Sequence, residues 1–200
     1  MQPLREYRVL NYDKKTLQEQ LQDPNNNQPI VLSGIFQESG IKNQNGRIYP
    51  HPILSREAEK FRKLIEEGRA YGALDHPESS IVTLNDACHL IKELSWNGNK
   101  LVGKTQILDT TPGKNLKAIL KAGGTVGISS RSYGSTSVID ETTEQVNDDL
   151  SLLTFDIVSE PSVAKAILQE GLERKKHIII PVNIELKKIN EILDYIKKEY

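Results

Sequence analysis

Three residues of this 200-residue chain carry side chains that together could break an acyl bond: His76, Ser129 and Asp156. A serine hydroxyl is a poor nucleophile until a neighbouring base takes its proton, and an imidazole of near-neutral pKa does so reversibly. A carboxylate behind the imidazole would fix its tautomer and stabilise the imidazolium that forms. The three lie far apart in sequence, so only the fold can bring them together.

Each also has an ordinary alternative. His76 stands in Ala73-Leu74-Asp75-His76-Pro77-Glu78, where Pro77 restricts it to an extended conformation and ends any strand leading into it. That would hold an imidazole at a strand end, although for any single histidine a local hydrogen bond in a loop is the commoner role. Ser129 lies in Gly127-Ile128-Ser129-Ser130-Arg131-Ser132-Tyr133-Gly134-Ser135. The glycines permit close approach of a bound peptide, but four serines in seven residues equally describe a turn whose hydroxyls bond nearby backbone. Asp156 shares a strand face with Leu150, Leu152, Thr154 and Val158, and a carboxylate there needs a partner, either an imidazole N–H, a salt bridge or a turn contact. Ser130 and Arg131 are candidates for oxyanion or substrate binding, with a surface ion pair as the other reading of the arginine. Cys88 and His89 are adjacent in a strand, so they point to opposite faces and cannot form a dyad; Cys88 is read as core.

The elements that must position these residues are legible in outline. Ile30-Val31-Leu32 opens the first core strand, preceded by a polar, turn-rich flexible leader over residues 1–29. Leu54, Ala58, Phe61 and Ile65 recur at helical spacing and predict a helix over 52–67 that ends at Gly68. Residues 88–96 and 101–108 alternate about Asn97-Gly98 and predict a hairpin. A helix over 113–122, a short strand over 125–130 and an apolar strand over 150–158 follow. Pro161 can open a further helix that Gly171 closes. The domain that carries the three candidate residues is therefore placed at residues 30–171. Residues 172–200, with a charged link, a short strand at 178–180 and a lysine-rich amphipathic helix, form a separable tail.

Composition narrows the function classes. With 26 basic and 27 acidic residues the formal net charge is -1, which gives no general attraction to nucleic acid or anionic membranes. One cysteine excludes an internal disulfide, and no Cys/His spacing marks a zinc site. The N-terminus lacks the apolar stretch of a signal peptide, and no run of about 18 apolar residues occurs. No metal, cofactor, nucleic-acid or membrane partner is expected, and a reducing cytoplasm fits.

An ordered set of short motifs gives a more specific signal. Gly34-Ile35-Phe36, Asn43 to Pro50, Gly72 to Pro77, Trp96-Asn97-Gly98-Asn99, Val126 to Arg131 and the block around Asp156 with Glu160-Pro161-Ser162 occur in this order. In these residues the chain resembles the prohead core proteases of T-even-type tailed phages, over roughly Gly34 to Ala166. One departure is Ser132, where the family often has glycine.

The resemblance implies a serine endopeptidase with His76 as base, Ser129 as nucleophile and Asp156 in the third place. A distant relation to the herpesvirus assemblins implies an α+β fold around a small, mainly antiparallel β-barrel. Cleavage after glutamate is implied, with phage scaffold or core proteins and the major capsid protein as substrates, inside the assembling prohead in the host cytoplasm. Leu168-Gln169-Glu170-Gly171 fits that preference, so self-cleavage after Glu170 is expected, with the tail removed or regulatory. Ile65-Glu66-Glu67-Gly68 fits it too, within a predicted helix. A homo-oligomer is expected. The competing reading is a non-catalytic scaffold or core protein of the phage head, in which these residues are structural.

Overall fold

The computed structural model describes residues 2–10, 12–23 and 25–159, all within one compact unit that spans Met1–Pro161. In chain order the elements are β1 (Gln2–Val9), α1 (Lys14–Gln22), β2 (Val31–Glu38), β3 (Arg47–Ile48), α2 (His51–Glu66), β4 (Tyr71–Ala73) and β5 (Ala87–Asn97). They continue with β6 (Lys100–Ile107), α3 (Thr111–Lys121), β7 (Gly127–Gly134), β8 (Thr136–Asp140), β9 (Thr143–Val146) and β10 (Ser151–Val158). The helix expected after Pro161, the strand at 178–180 and the amphipathic tail helix lie outside the described residues.

Apolar spacing explains the helices. Leu54, Ala58 and Phe61 of α2 are buried together on one face. In α3, Thr110 caps the first turn through Gly113 N–H at 3.3 Å, and Leu116 and Leu120 face inward. The expected hairpin joins β5 to β6, but its two turn residues are Gly98 and Asn99, one position later than expected, because Asn97 pairs with Lys100 and Gly98 takes the left-handed φ of 61°. Residues 2–22 depart from expectation, since they contribute β1 and α1 in place of a flexible leader. Leu4 and Leu10 are buried, so the segment supplies core as well as backbone pairing.

The strands form three sheets, ordered β1-β7-β10, β2-β6-β5-β4 and β3-β9-β8. All pairings are antiparallel except β3 with β9. The result is a mixed α+β fold with mostly antiparallel sheets. The expected closed barrel is not formed among the described residues. Backbone pairing between the second sheet and the first is limited, among the described residues, to one parallel bridge, Leu74 with Ile157, and the hydrogen bond from Asp75 N–H to the Ile157 carbonyl at 2.7 Å. The ladder stops there because Asp75 turns into the left-handed region at φ 61°, and Pro77 has no N–H to extend it.

Phe155 sits at the centre of the larger core, 5.2 Å from the Phe36 ring and edge-on to Phe61 at 5.5 Å. A smaller core joins Leu4, Tyr49, Leu54, Val146 and Leu150. Beside it the Glu6 carboxylate, 2% exposed, accepts hydrogen bonds from Asn43 (2.7 Å), Asn45 (2.7 Å), Arg47 (2.9 Å) and Tyr49 (2.8 Å). Four alternate residues of the Asn43–Pro50 motif therefore satisfy one buried carboxylate, which compensates its desolvation. Glu6 lies opposite Ser130, so this loop braces the strand that carries Ser129.

Candidate active site

Strand β7 is the middle strand of its sheet, and this places Ser129 between Tyr7 of β1 and Asp156 of β10. Cross-strand partners share a face, so Ser129 and Asp156 point to the same side. His76 arrives from the loop after β4. The left-handed Asp75 turns the chain back toward β10, and its carboxylate accepts the Ser159 N–H at 3.3 Å, which ties this turn to the residue after β10. His76 then lies over both partners.

The contacts form a relay. His76 Nδ1 is 2.8 Å from Asp156 Oδ2, and His76 Nε2 is 2.8 Å from Ser129 Oγ. A carboxylate only accepts, so Nδ1 carries the proton and donates it to Asp156; Nε2 is then free to accept from the serine hydroxyl. This is the tautomer a general base requires. Asp156 is fully buried and also accepts from Ala73 N–H at 2.9 Å and Arg131 Nη2 at 3.2 Å, with Arg131 Nε 2.9 Å from Oδ2. A buried cation and two further donors thus offset the cost of burying the charge.

A family model described as prohead core protein serine protease matches residues 9–173. The chain belongs to that family. It is 31% identical over 141 residues to the prohead core protein protease of Enterobacteria phage T4, an alignment covering 68% of this chain and 66% of that relative. Its fold also matches the solved capsid assembly protease of bacteriophage T4, with a TM-score of 0.68 and 24% identity over 80% of this chain and 98% of the other.

In this prohead core protease family member the other sequence candidates fall in different places. Arg131 is 3% exposed, with its guanidinium directed onto Asp156 and the Ser79 carbonyl. It is therefore an internal counter-ion, not the open site for a substrate carboxylate that its residue type suggests. Ser130 is 1% exposed on the opposite face of β7, where Gln37 Nε2 donates to it at 3.2 Å. Its side chain cannot reach a group bound at Ser129. Nor do the amides of β7 near Ser129 stand free for an oxyanion, because the strand is paired along both edges. Glu170 and Gly171 lie outside the described residues. Cys88 is fully buried, and burial pushes its thiol pKa up, away from thiolate chemistry.

Sequence reasoning weighed His89 only as a partner for Cys88 and missed its place beside the site. It is fully buried beneath the site, with Nδ1 2.6 Å from Thr105 Oγ1. Its Nε2 has no aligned partner. Gly72 leaves room for it: a Cβ there would collide with the imidazole and with the Phe155 carbonyl, one residue from Asp156. The glycine of Gly72-Ala73-Leu74 was the available signal, since glycine within a strand marks a close approach.

Burial pushes the His89 pKa down to about 4, against the opposing effects of the Asp156 charge and the Phe155 carbonyl. A histidine neutral when folded and ordinary when unfolded contributes stability above its unfolded pKa of 6.5. Below that, the unfolded chain binds the extra proton, and the contribution is lost as pH falls toward 4. Each tenfold weakening of proton affinity is worth about 1.4 kcal/mol, so the loss amounts to about 3 kcal/mol. Urea unfolding between pH 7 and pH 4 is expected to show this slope, and His89→Gln to flatten it. An equal slope in both proteins would show that His89 does not carry the effect.

Proposed function

We propose that this protein is a serine endopeptidase of phage prohead maturation. The reading rests above all on Ser129, His76 and Asp156 lying in one hydrogen-bonded line with the tautomer that acyl transfer needs. Ser129 attacks the scissile carbonyl while His76 takes its proton. His76 then returns that proton to the leaving amine. Water, activated by the same imidazole, releases the acyl group from Ser129. Asp156, held by Arg131 and Ala73 N–H, keeps His76 aimed and stabilises the imidazolium.

The substrates in this reading are proteins of the assembling head, the scaffold or core proteins and the major capsid protein, cut after glutamate. The likeness to T4 proteins named as a prohead core protein protease and a capsid assembly protease supports that choice. What the chain would share with the assemblins is the order His, Ser, third residue. The chain's own Glu170-Gly171 bond is included among the targets.

The test is to incubate the full-length protein with phage core protein and identify every new terminus by mass spectrometry. Cuts after glutamate, including Glu170, are the expected result. New termini without glutamate preference would overturn the specificity, and an intact Glu170-Gly171 bond would overturn self-cleavage.

A further inference from the structure

The face of β7 that presents Ser129 is walled on one side. Toward β10, the loop after β4 stands over the sheet: His76 covers Ser129 and Asp156, and the Ser79 carbonyl takes the Arg131 guanidinium. Toward β1 the same face carries Pro3 and Arg5, both exposed, and Tyr7, half-buried. The register settles which side chains share this face: Tyr7 is opposite Ser129 and Arg5 opposite Arg131. The alternate residues Leu4 and Glu6 face inward and are buried. A peptide reaching Ser129 must therefore lie across the outward face of β1.

Two features make that face a binding floor. The Tyr7 ring lies over Gly127, so closely that any Cβ there would collide with its ring and hydroxyl. This sets an aromatic surface flat against the sheet two residues before the nucleophile. Arg5 is the second feature. Arg8 is paired with Glu38 at 2.7 Å, Arg47 with Glu6 at 2.9 Å and Arg131 with Asp156, whereas Arg5 has no ion-pair partner among the described residues. It stands diagonally across from Ser129, a cross-strand separation of about 7–8 Å that an arginine side chain can span.

We propose that Arg5 receives the carboxylate of an acidic substrate residue flanking the scissile bond, and that Tyr7 packs against the peptide beside it. The proposal rests on Ser129 being a peptidase nucleophile and assigns its acidic subsite to β1. Arg5 and Tyr7 precede residue 9, where the family match begins, so the assignment comes from this chain's own geometry.

The experiment starts from a peptide that the wild type cleaves, with Glu or Gln placed in turn at the two positions on each side of the cut. At one position the wild type is expected to prefer Glu by about 10- to 100-fold in kcat/KM, the range of a charge-assisted hydrogen bond. Arg5→Gln should abolish that preference, Arg5→Lys should keep part of it, and Tyr7→Ala should raise KM. An unchanged Glu-to-Gln ratio in Arg5→Gln overturns the role of Arg5 alone, whereas no preference in the wild type overturns that role together with the cleavage after glutamate. A wild type that cleaves no head protein or peptide overturns the peptidase reading and this subsite together.

Discussion

Replacing Ser129 with alanine is expected to leave the protein folded and to lower cleavage of phage core protein by about 10⁴- to 10⁶-fold in kcat, the loss seen when the nucleophile of an acyl-transfer triad is removed. The fold should survive because Ser129 is held in β7 by backbone pairing to Tyr7 and Asp156, and its hydroxyl makes one hydrogen bond, to His76. Alanine deletes a single buried oxygen and leaves Asp156 with all of its donors. The measurement is the rate at which new termini appear, with circular dichroism and thermal unfolding as checks on folding. Cleavage by Ser129→Ala at the wild-type rate would refute the nucleophile. If wild type and variant both leave the substrate whole, with and without residues 171–200, the non-catalytic scaffold reading takes its place.

The second large effect belongs to Asp156→Asn, for which a loss of about 10⁴-fold in kcat is expected together with a measurable fall in stability. The two carboxylate oxygens accept from Ala73 N–H, Arg131 and His76 Nδ1. An asparagine has one acceptor and an NH₂ group, so in either orientation two donors must face each other. If the NH₂ turns to His76, the imidazole must shift its proton to Nε2 and can no longer accept from Ser129. If it turns the other way, it faces Ala73 N–H and the guanidinium. In both cases Arg131 stays buried without a counter-charge, and breaking a buried pair costs about 3–5 kcal/mol. Urea unfolding and kcat/KM near neutral pH measure the two effects. Activity within tenfold of wild type would show that Asp156 does not set the tautomer.

The difference in legibility between parts of the molecule has physical causes. Helix α2 and the β5–β6 hairpin can be read because their signals are local: an apolar stripe at helical spacing, and Asn-Gly between two alternating runs. The edge strand β1 cannot. Its residues Arg5, Glu6 and Arg8 look like a solvated, charged run, and only the fold supplies Asn43, Asn45, Arg47 and Tyr49 to meet Glu6. For the same reason the Asn43–Pro50 motif is visible as a motif while its role is not. His76, Ser129 and Asp156 can be named as a set through the ordered motifs, whereas any one of them read alone is ambiguous. Arg131 illustrates the remaining gap. Its residue type suits substrate binding, but whether it faces outward or toward Asp156 depends on a loop that sequence spacing does not place. Trp96-Asn97-Gly98-Asn99 likewise serves as a brace: Trp96 packs 4.5 Å from His51, and the Asn99 carbonyl accepts Ser39 N–H at 2.9 Å.

The pairing of β7 with a strand from each end of the compact unit has a consequence for synthesis. Tyr7, Ser129 and Asp156 sit side by side, so this sheet is built from contacts of high sequence separation, which form late and slowly. A nascent chain that has emerged only as far as β7 already carries His76 and Ser129 but has no strand to supply Asp156 and no carboxylate to anchor Arg131. The triad cannot assemble until residues 151–158 have left the ribosome. Translation thus imposes its own delay: for most of its synthesis the polypeptide carries the residues proposed as nucleophile and base before the fold has aligned them.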